Sequence, residues 1–501
     1  MKTHLKKLTA FVCITAMLLF QTSVLATESV RLYEQYRYQE NFEYSDEIIA
    51  HALKSAVPKI MLGYEATITY EPVFFDTDEL VNVYVNTYNA HSDEYTEEEI
   101  AGAVLNDVQE NLENYLAYDE EKTVTVNGIY TGSGVVISDD GYVATNAHVA
   151  TLDDGAKLEL YLSGLNENVV GDLSGIITEL SDVGLTFTEE QIAEVYDVVI
   201  QDAATRAEVI DEYIQLEVWF PDALGNTDAD SAIKYEATLV EEGVSAASED
   251  IEGYTQDTAI LKIDAENLIS LKISDSYPAL NSKIVTAGFP AASAMIFQAA
   301  GSNESVMSIT VGTGQVAQLV PIKGSEYKAI GITTTISGGN SGGPSVDSNL
   351  NIEGLNTYHL AADARYAYMV PAEYVSYLAQ GYGMGQGETS KTFLLGLQML
   401  QQNYGTTALK CFEKVKRLQP DTPYIEELIQ LANDAPDKEA PRRKGSLGSG
   451  TNLMIILVIV LVVVVVIIAA NNSKGKKKPP RSGSGTSTSS AQGWSPGPRG
   501  Y

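Results

Sequence analysis

From residue 122 onward the chain breaks into short β-type runs separated by glycine-bearing turns, and this spacing limits the body to a sheet-built fold. Lys122–Val126, Gly134–Ser138 and Tyr142–Thr145 read as strands, with Asp139-Asp140-Gly141 turning the chain before the last of them. Similar runs recur at Ile214–Phe220, Lys234–Leu239, Thr258–Ile263, Lys283–Ala287 and Ser308–Val311, then at Ile352–Leu355 and Tyr366–Val370. Short strands at such intervals predict an all-β barrel or sandwich. One stretch departs from the pattern. Thr188 to Gln191 forms a capping box with Phe187 and Ile192 as its staple. Ile192, Val195, Tyr196, Val199, Ala203 and Ile210 follow at helical spacing, so residues 165–212 read as a helical insertion.

Helical signals flank this β-rich body. Residues 27–121 are rich in Glu, Asp and Tyr. Thr96 to Glu99 is a capping box, and Ile100, Val104, Val108, Leu112 and Leu116 line one helical face, which predicts an α-rich N-terminal region. Residues 390–434 are helical again. Gly396, Ala408, Phe412 and Pro420 fall at intervals of 12, 4 and 8, a pattern similar to one tetratricopeptide repeat. Thr422 is read as the cap of a third helix, with Pro423 at its first position. A single repeat cannot bury its own face, so it packs on the body or takes a protein partner. Residues 435–452 read as a linker.

The two ends carry membrane signals. In residues 1–26, Lys2, Lys6 and Lys7 precede an apolar stretch from Leu8 to Phe20, and Val24-Leu25-Ala26 offers small residues for cleavage. This is the pattern of a secretory signal, with an uncleaved anchor as the alternative. Residues 453–470, LMIILVIVLVVVVVIIAA, hold no charge and are long enough to span a bilayer core as a helix. Lys474, Lys476, Lys477, Lys478 and Arg481 follow at once and predict a cytoplasmic tail, 471–501, rich in Gly, Ser and Pro. The body would then face outward from a single-pass anchor. A formal net charge of -35 argues against nucleic acid as a partner, because an acidic surface repels phosphate. The two cysteines, Cys13 in the leader and Cys411 alone in the body, offer no disulfide framework, and Cys411 reads as a small packed hydrophobe.

Chemistry concentrates in three motifs. In Gly339-Asn340-Ser341-Gly342-Gly343-Pro344, glycines permit a turn that exposes the Ser341 hydroxyl. The N–H groups of Gly339 and Ser341 would serve as oxyanion donors. A hydroxyl needs a base, and His148 in Ala144-Thr145-Asn146-Ala147-His148-Val149 follows a predicted β-hairpin that begins at Thr131-Gly132-Ser133-Gly134. A carboxylate must orient that imidazole. Asp257, ahead of Thr258-Ala259-Ile260-Leu261-Lys262-Ile263, is the candidate, with Asp250 and Asp264 as rivals on spacing alone.

The order His, Asp, Ser is that of the chymotrypsin barrel. Together the motifs resemble a trypsin-like serine peptidase of the HtrA (Deg) kind over residues 122–385, the insertion apart. The resemblance implies a mainly β fold of two six-stranded antiparallel barrels and a triad of His148, Asp257 and Ser341. Val285 to Pro290 and Glu353 to Thr357 resemble second-barrel strands, which places Asn356 and Thr357 at the substrate pocket. Thr335, six positions before Ser341, is read as the pocket floor. The chain departs from the family in four ways. Asp257 lies 109 positions after His148 (257 − 148). The segment Thr333–Gly338 lacks the usual proline. No PDZ-like domain follows. Asn340 stands where trypsin-type zymogens carry an aspartate, which argues against activation by N-terminal cleavage.

The reading is of an outside-facing serine endopeptidase acting on polypeptide substrates, by resemblance the exposed or unfolded segments of exported proteins, with neither metal nor cofactor. A homo-oligomer is compatible with it. The rivals are a non-catalytic peptide-binding scaffold on a protease fold and a regulatory anchor that signals through its tail.

Overall fold

A computed structural model describes residue 36 and residues 39–438, apart from 92, 112–113, 183–187, 227, 229, 246–252, 291–308, 361–362 and 437. The leader at 1–26, the apolar run at 453–470 and the tail lie outside the described residues. Among those described, no helix is long and apolar enough to cross a membrane.

Among the described residues sixteen strands follow one another: β1 (Lys59–Tyr70), β2 (Val73–Phe75), β3 (Leu116–Tyr118), β4 (Lys122–Ser133), β5 (Val135–Val136), β6 (Tyr142–Thr145), β7 (Glu208–Phe220), β8 (Ile233–Glu242), β9 (Ala259–Ile263), β10 (Lys272–Ile273), β11 (Lys283–Gly288), β12 (Thr310–Pro321), β13 (Lys328–Ile332), β14 (Pro344–Val346), β15 (Asn351–Leu360) and β16 (Asp363–Pro371). They build two large sheets and a small β2–β3 pair. The first sheet has the order β4-β1-β7-β8-β9-β6-β5 and is antiparallel at every pairing. The second closes on itself. β11, β12, β13, β16, β15 and β14 pair in turn, β14 returns to β11, and β10 joins β15 in parallel.

The expectation of two six-stranded barrels therefore holds for the second sheet. The first is a seven-stranded sheet whose end members, β4 and β5, are separated along the chain by Gly134 alone. The chain bends sharply there. A Cβ on Gly134 would sit 2.9 Å from Val143 Cγ1 and 3.0 Å from Ile60 Cδ1.

The region read as α-rich carries helices Asp46–Ala56, Thr77–His91 and Glu97–Glu110, and also a strand that this reading did not include: β1 lies between β4 and β7 in the first sheet. Its alternation is plain in the sequence: Ile60, Leu62, Tyr64, Ala66, Ile68 and Tyr70 are all buried. A period of two sends every second side chain to one face, and no helix produces that pattern. The predicted helix forms at Glu97–Glu110, with Thr96 and Glu99 exchanging both capping-box bonds, but it stops short of the predicted face: Leu112 lies outside the described residues and Leu116 begins β3.

The insertion is longer at its start than predicted and stops sooner. It comprises helices Asp154–Asp182 and Glu189–Arg206, and β7 begins at Glu208. Leu165, Val169, Val199, Ile200 and Ala203 pack on the buried face of β1. Gly164 lets the first of these helices approach β4, since a Cβ there would lie 2.2 Å from Val126 Cγ1. Leu80 and Val104 of the N-terminal helices meet Leu173 of the insertion in a satellite core.

Three helices, Glu388–Gln401, Gly405–Leu418 and Ile425–Asp434, end the described chain. Gly396 and Phe412 meet: a Cβ on Gly396 would lie 2.6 Å from the Phe412 ring. Thr422 does not cap the third helix. Its hydroxyl donates to the Gln419 carbonyl, and that helix starts at Ile425 behind Tyr424, whose backbone is left-handed at φ 58°. Cys411 is fully buried in the core these helices share with helix Asp46–Ala56 and with β11, β14 and β15, and burial pushes its thiol up to about 12.

Two outcomes follow. Leu62→Ala on β1 is expected to cost about 2–5 kcal/mol in denaturant unfolding, as for other buried leucines, although it lies outside the β-rich motifs. Burial pushes the Glu353 carboxyl up to about 7, with Asp347 adding to the shift and Ser274 opposing it, and Glu353 Oε2 has no hydrogen-bond partner among the described residues. The folded value exceeds the ordinary 4.5, so this carboxyl's contribution is present at low pH and is lost as pH rises through about 7. Glu353→Gln should raise the melting temperature at pH 8 relative to the parent and narrow the difference between pH 5 and pH 8.

Candidate active site

The residues singled out by chemistry sit where the two sheets meet. β6 ends at Thr145, and His148 follows on the short helix Ala147–Ala150. The approach is pinned on both sides. Thr145 Oγ1 donates to the Ser133 carbonyl at 2.7 Å, and Asn146 Nδ2 donates to the Asp257 carbonyl at 2.6 Å.

Asp257 precedes β9 and is fully buried. Its Oδ2 lies 2.7 Å from His148 Nδ1, and its Oδ1 accepts the His148 backbone N–H at 3.1 Å. Thr357 Oγ1 also donates to Oδ2. A carboxylate can only accept, so Nδ1 carries the imidazole proton and Nε2 keeps the lone pair. Among the rival carboxylates, Asp264 is exposed, and Asp250 lies outside the described residues.

Ser341 occupies the loop between β13 and β14. Gly339 has φ 92° and Gly342 φ 81°, both in the region that favours glycine. At Gly342 the requirement is also steric, because a Cβ would lie 2.2 Å from both the Ser133 carbonyl and Thr145 Oγ1. Asn340 N–H closes a turn onto the Ser337 carbonyl at 3.0 Å, and the loop forms without a proline. The N–H groups of Gly339 and Ser341 make no hydrogen bond to a described residue. Ser341 Oγ donates to the Thr357 carbonyl at 3.1 Å, and among the described residues no hydrogen bond joins it to His148.

The pocket expectations fare differently from one another. Thr335 is exposed on the loop. Asn356 does not line a pocket: it is fully buried behind the loop, where its Oδ1 accepts from Ser345 Oγ at 2.7 Å and its Nδ2 points to the carbonyls of Ala287 and Pro344. Its backbone carbonyl accepts the Gly342 N–H at 2.8 Å. Thr357 is likewise buried and is turned toward Asp257. Sequence reasoning missed this role, and it missed Ser133. Ser133 N–H donates to the Ser341 carbonyl at 2.8 Å, its Oγ donates to the Gly339 carbonyl at 2.7 Å, and the same Oγ accepts the Phe289 N–H at 2.8 Å. The available signal was a small hydroxyl residue between two glycines at the end of an alternating strand.

Residues 132–355 match the family model described as a trypsin-like peptidase domain. No curated protein matches the chain at a significant level. Among solved structures, the serine endoprotease from Yersinia pestis is 15% identical with a TM-score of 0.29, over 67% of this chain and 65% of that one. Deg5 is 20% identical with a TM-score of 0.28, over 51% of this chain and 86% of that one. The Rv3671c protease of M. tuberculosis, in an inactive form, is 17% identical with a TM-score of 0.28, over 51% and 85%. β1 lies outside the matched segment, although it stands within the first sheet.

Gly342→Ala is expected to lower the thermal midpoint sharply, because both contacts at 2.2 Å come from the rigid core of the join. Gly338→Ala, where nothing lies within 4 Å of an added Cβ, should leave the midpoint nearly unchanged.

Proposed function

We propose that the protein is an outside-facing serine endopeptidase, anchored through residues 453–470, that cleaves exposed or unfolded segments of exported proteins in the manner of HtrA-like enzymes. The observation that carries this reading is the buried Asp257 carboxylate on His148 Nδ1 at 2.7 Å, with Thr357 touching both Asp257 and Ser341. Ser341 Oγ attacks the scissile carbonyl carbon, and His148 Nε2 takes its proton. The oxyanion is received by the N–H groups of Gly339 and Ser341. Collapse expels the amine, which takes the proton from His148. Water then attacks the acyl-enzyme by the same route and releases the acid. Asp257 holds the tautomer and stabilises the imidazolium throughout. In this reading the leader at 1–26 directs export, the C-terminal helices correspond to a tetratricopeptide-like repeat, and the first sheet corresponds to the other barrel.

One observation favours a second reading, a peptide-binding scaffold without turnover. The Ser341 hydroxyl donates to the Thr357 carbonyl, and it must leave that acceptor to reach His148.

A fluorophosphonate probe and casein hydrolysis separate the two. The parent is expected to be labelled and to cleave, and Ser341→Ala to do neither. Labelling that survives in Ser341→Ala would defeat the site assignment, and a folded parent inert in both assays would favour the scaffold. Asp257→Asn should lower kcat by at least about a thousandfold with the fold intact by circular dichroism. Thr357→Val, which keeps the shape but loses the donor to Asp257, should lower kcat by a smaller factor with KM little changed.

A further inference from the structure

The C-terminal helices already hold a polypeptide, and it belongs to the same chain. Residues 39–45 run between helix Glu388–Gln401 and the turn that joins β14 to β15, and the contacts are made almost entirely to main chain. Gln398, fully buried, accepts the Gln39 N–H through Oε1 at 3.2 Å and donates through Nε2 to the Gln39 carbonyl at 2.7 Å. Its Nε2 also donates to Tyr44 Oη at 3.1 Å. One turn on, Gln401 Oε1 accepts the Ser45 N–H at 2.9 Å, and its Nε2 donates to the Glu43 carbonyl at 3.1 Å. From the opposite wall, the Tyr44 N–H donates to the Ser348 carbonyl at 2.8 Å, and Asn349 Nδ2 donates to the Phe42 carbonyl at 3.0 Å. Tyr36 and Tyr44 are buried in the core, and Phe42 packs against it with its ring edge-to-face on Tyr44 at 4.9 Å.

A carboxamide presents one acceptor and one donor side, so it can satisfy both halves of a peptide unit, and two of them spaced one helical turn apart read backbone rather than sequence. A buried amide committed in this way costs stability whenever its ligand leaves. We propose that the groove between helix Glu388–Gln401 and the β14–β15 turn is a polypeptide-binding site separate from the catalytic centre, and that residues 39–45 are its resident ligand, held in cis. It takes an extended segment read through its main chain, with aromatic side chains two positions apart as anchors. Tethering sets the local ligand concentration near the millimolar range, so the site is masked in the intact chain.

The test uses the purified full-length chain and a fluorescein-labelled peptide of the sequence 36–47, followed by anisotropy. In the parent the tethered segment competes, and the peptide is expected to bind at least about tenfold more weakly than to Phe42→Ala/Tyr44→Ala. Adding Gln398→Ala and Gln401→Ala to that double variant should abolish binding, as should alanine in the peptide at the positions of Phe42 and Tyr44. A folded double variant that does not bind the peptide overturns the proposal, and so does binding that ignores the loss of both glutamines. If the double variant fails to fold, hydrogen exchange on Gln398→Ala/Gln401→Ala decides. The amides of Gln39 and Ser45 should lose at least about tenfold protection while those of Leu53 and Val57 keep theirs. Unchanged protection at Gln39 and Ser45 overturns the proposal. Neither readout depends on hydrolysis, so each stands apart from the peptidase assignment.

Discussion

One buried hydroxyl residue joins the two halves of the candidate active site. Ser133 ends β4, and its backbone N–H, carbonyl and Oγ are all committed: to Ser341, to Thr145, and to Gly339 and Phe289. Through those bonds the strand before His148, the end of β11 and the loop bearing Ser341 share one point of reference. The closeness also explains the glycines around it. Gly288 and Gly342 would each place a Cβ within 3 Å of an atom of Ser133. A side chain at either position would push the two sheets apart, and Ser341 would move with one sheet while His148 moved with the other.

A second bracket lies behind the loop. Asn356 and Thr357, adjacent on β15, face opposite ways, as neighbours on a strand must. Asn356 closes the rear of the Ser341 loop against Ser345, and Thr357 reaches across to Asp257. The far end of the β14–β15 hairpin is held by residues 42–44 and, through them, by the C-terminal helices. The hairpin that follows Ser341 is thus tied down at both ends, by the join of the two sheets at one and by the chain's own N-terminal segment at the other.

Much of this could be read from the sequence, for identifiable reasons. A loop that demands left-handed backbone writes its demand as glycine, so Gly339 and Gly342 marked the Ser341 turn directly. The TNAHV and D-x-A-x-L-K stretches stood out because small and apolar residues must crowd there. Spacing alone did not separate Asp257 from Asp250 and Asp264, since the contact to His148 spans the whole helical insertion. Thr357 and Asn356 were placed at a pocket because likeness to a strand fixes neither the register nor which residue faces which way. The alternation of β1 is regular, but an alternating run does not say which sheet takes it, and its partners β4 and β7 lie far along the chain. The contacts of residues 39–45 left no mark at all, since a segment bound through its backbone can carry almost any side chain between its aromatic anchors.

The position of β1 also bears on how the molecule is made. Lys59 pairs with Ser133 on one side and with Trp219 on the other, and Trp219 lies 160 positions later in the chain (219 − 59). As the chain emerges from its N-terminus, β1 and β4 can pair early, but the second edge of β1 waits until the whole helical insertion has followed. An exposed edge of twelve residues with alternating apolar side chains invites pairing with another chain during that wait. The insertion helices are made in the interval between the two partners, and they cover the apolar face of β1. They are placed, in time as well as in space, to shield a half-built sheet until its last neighbour arrives.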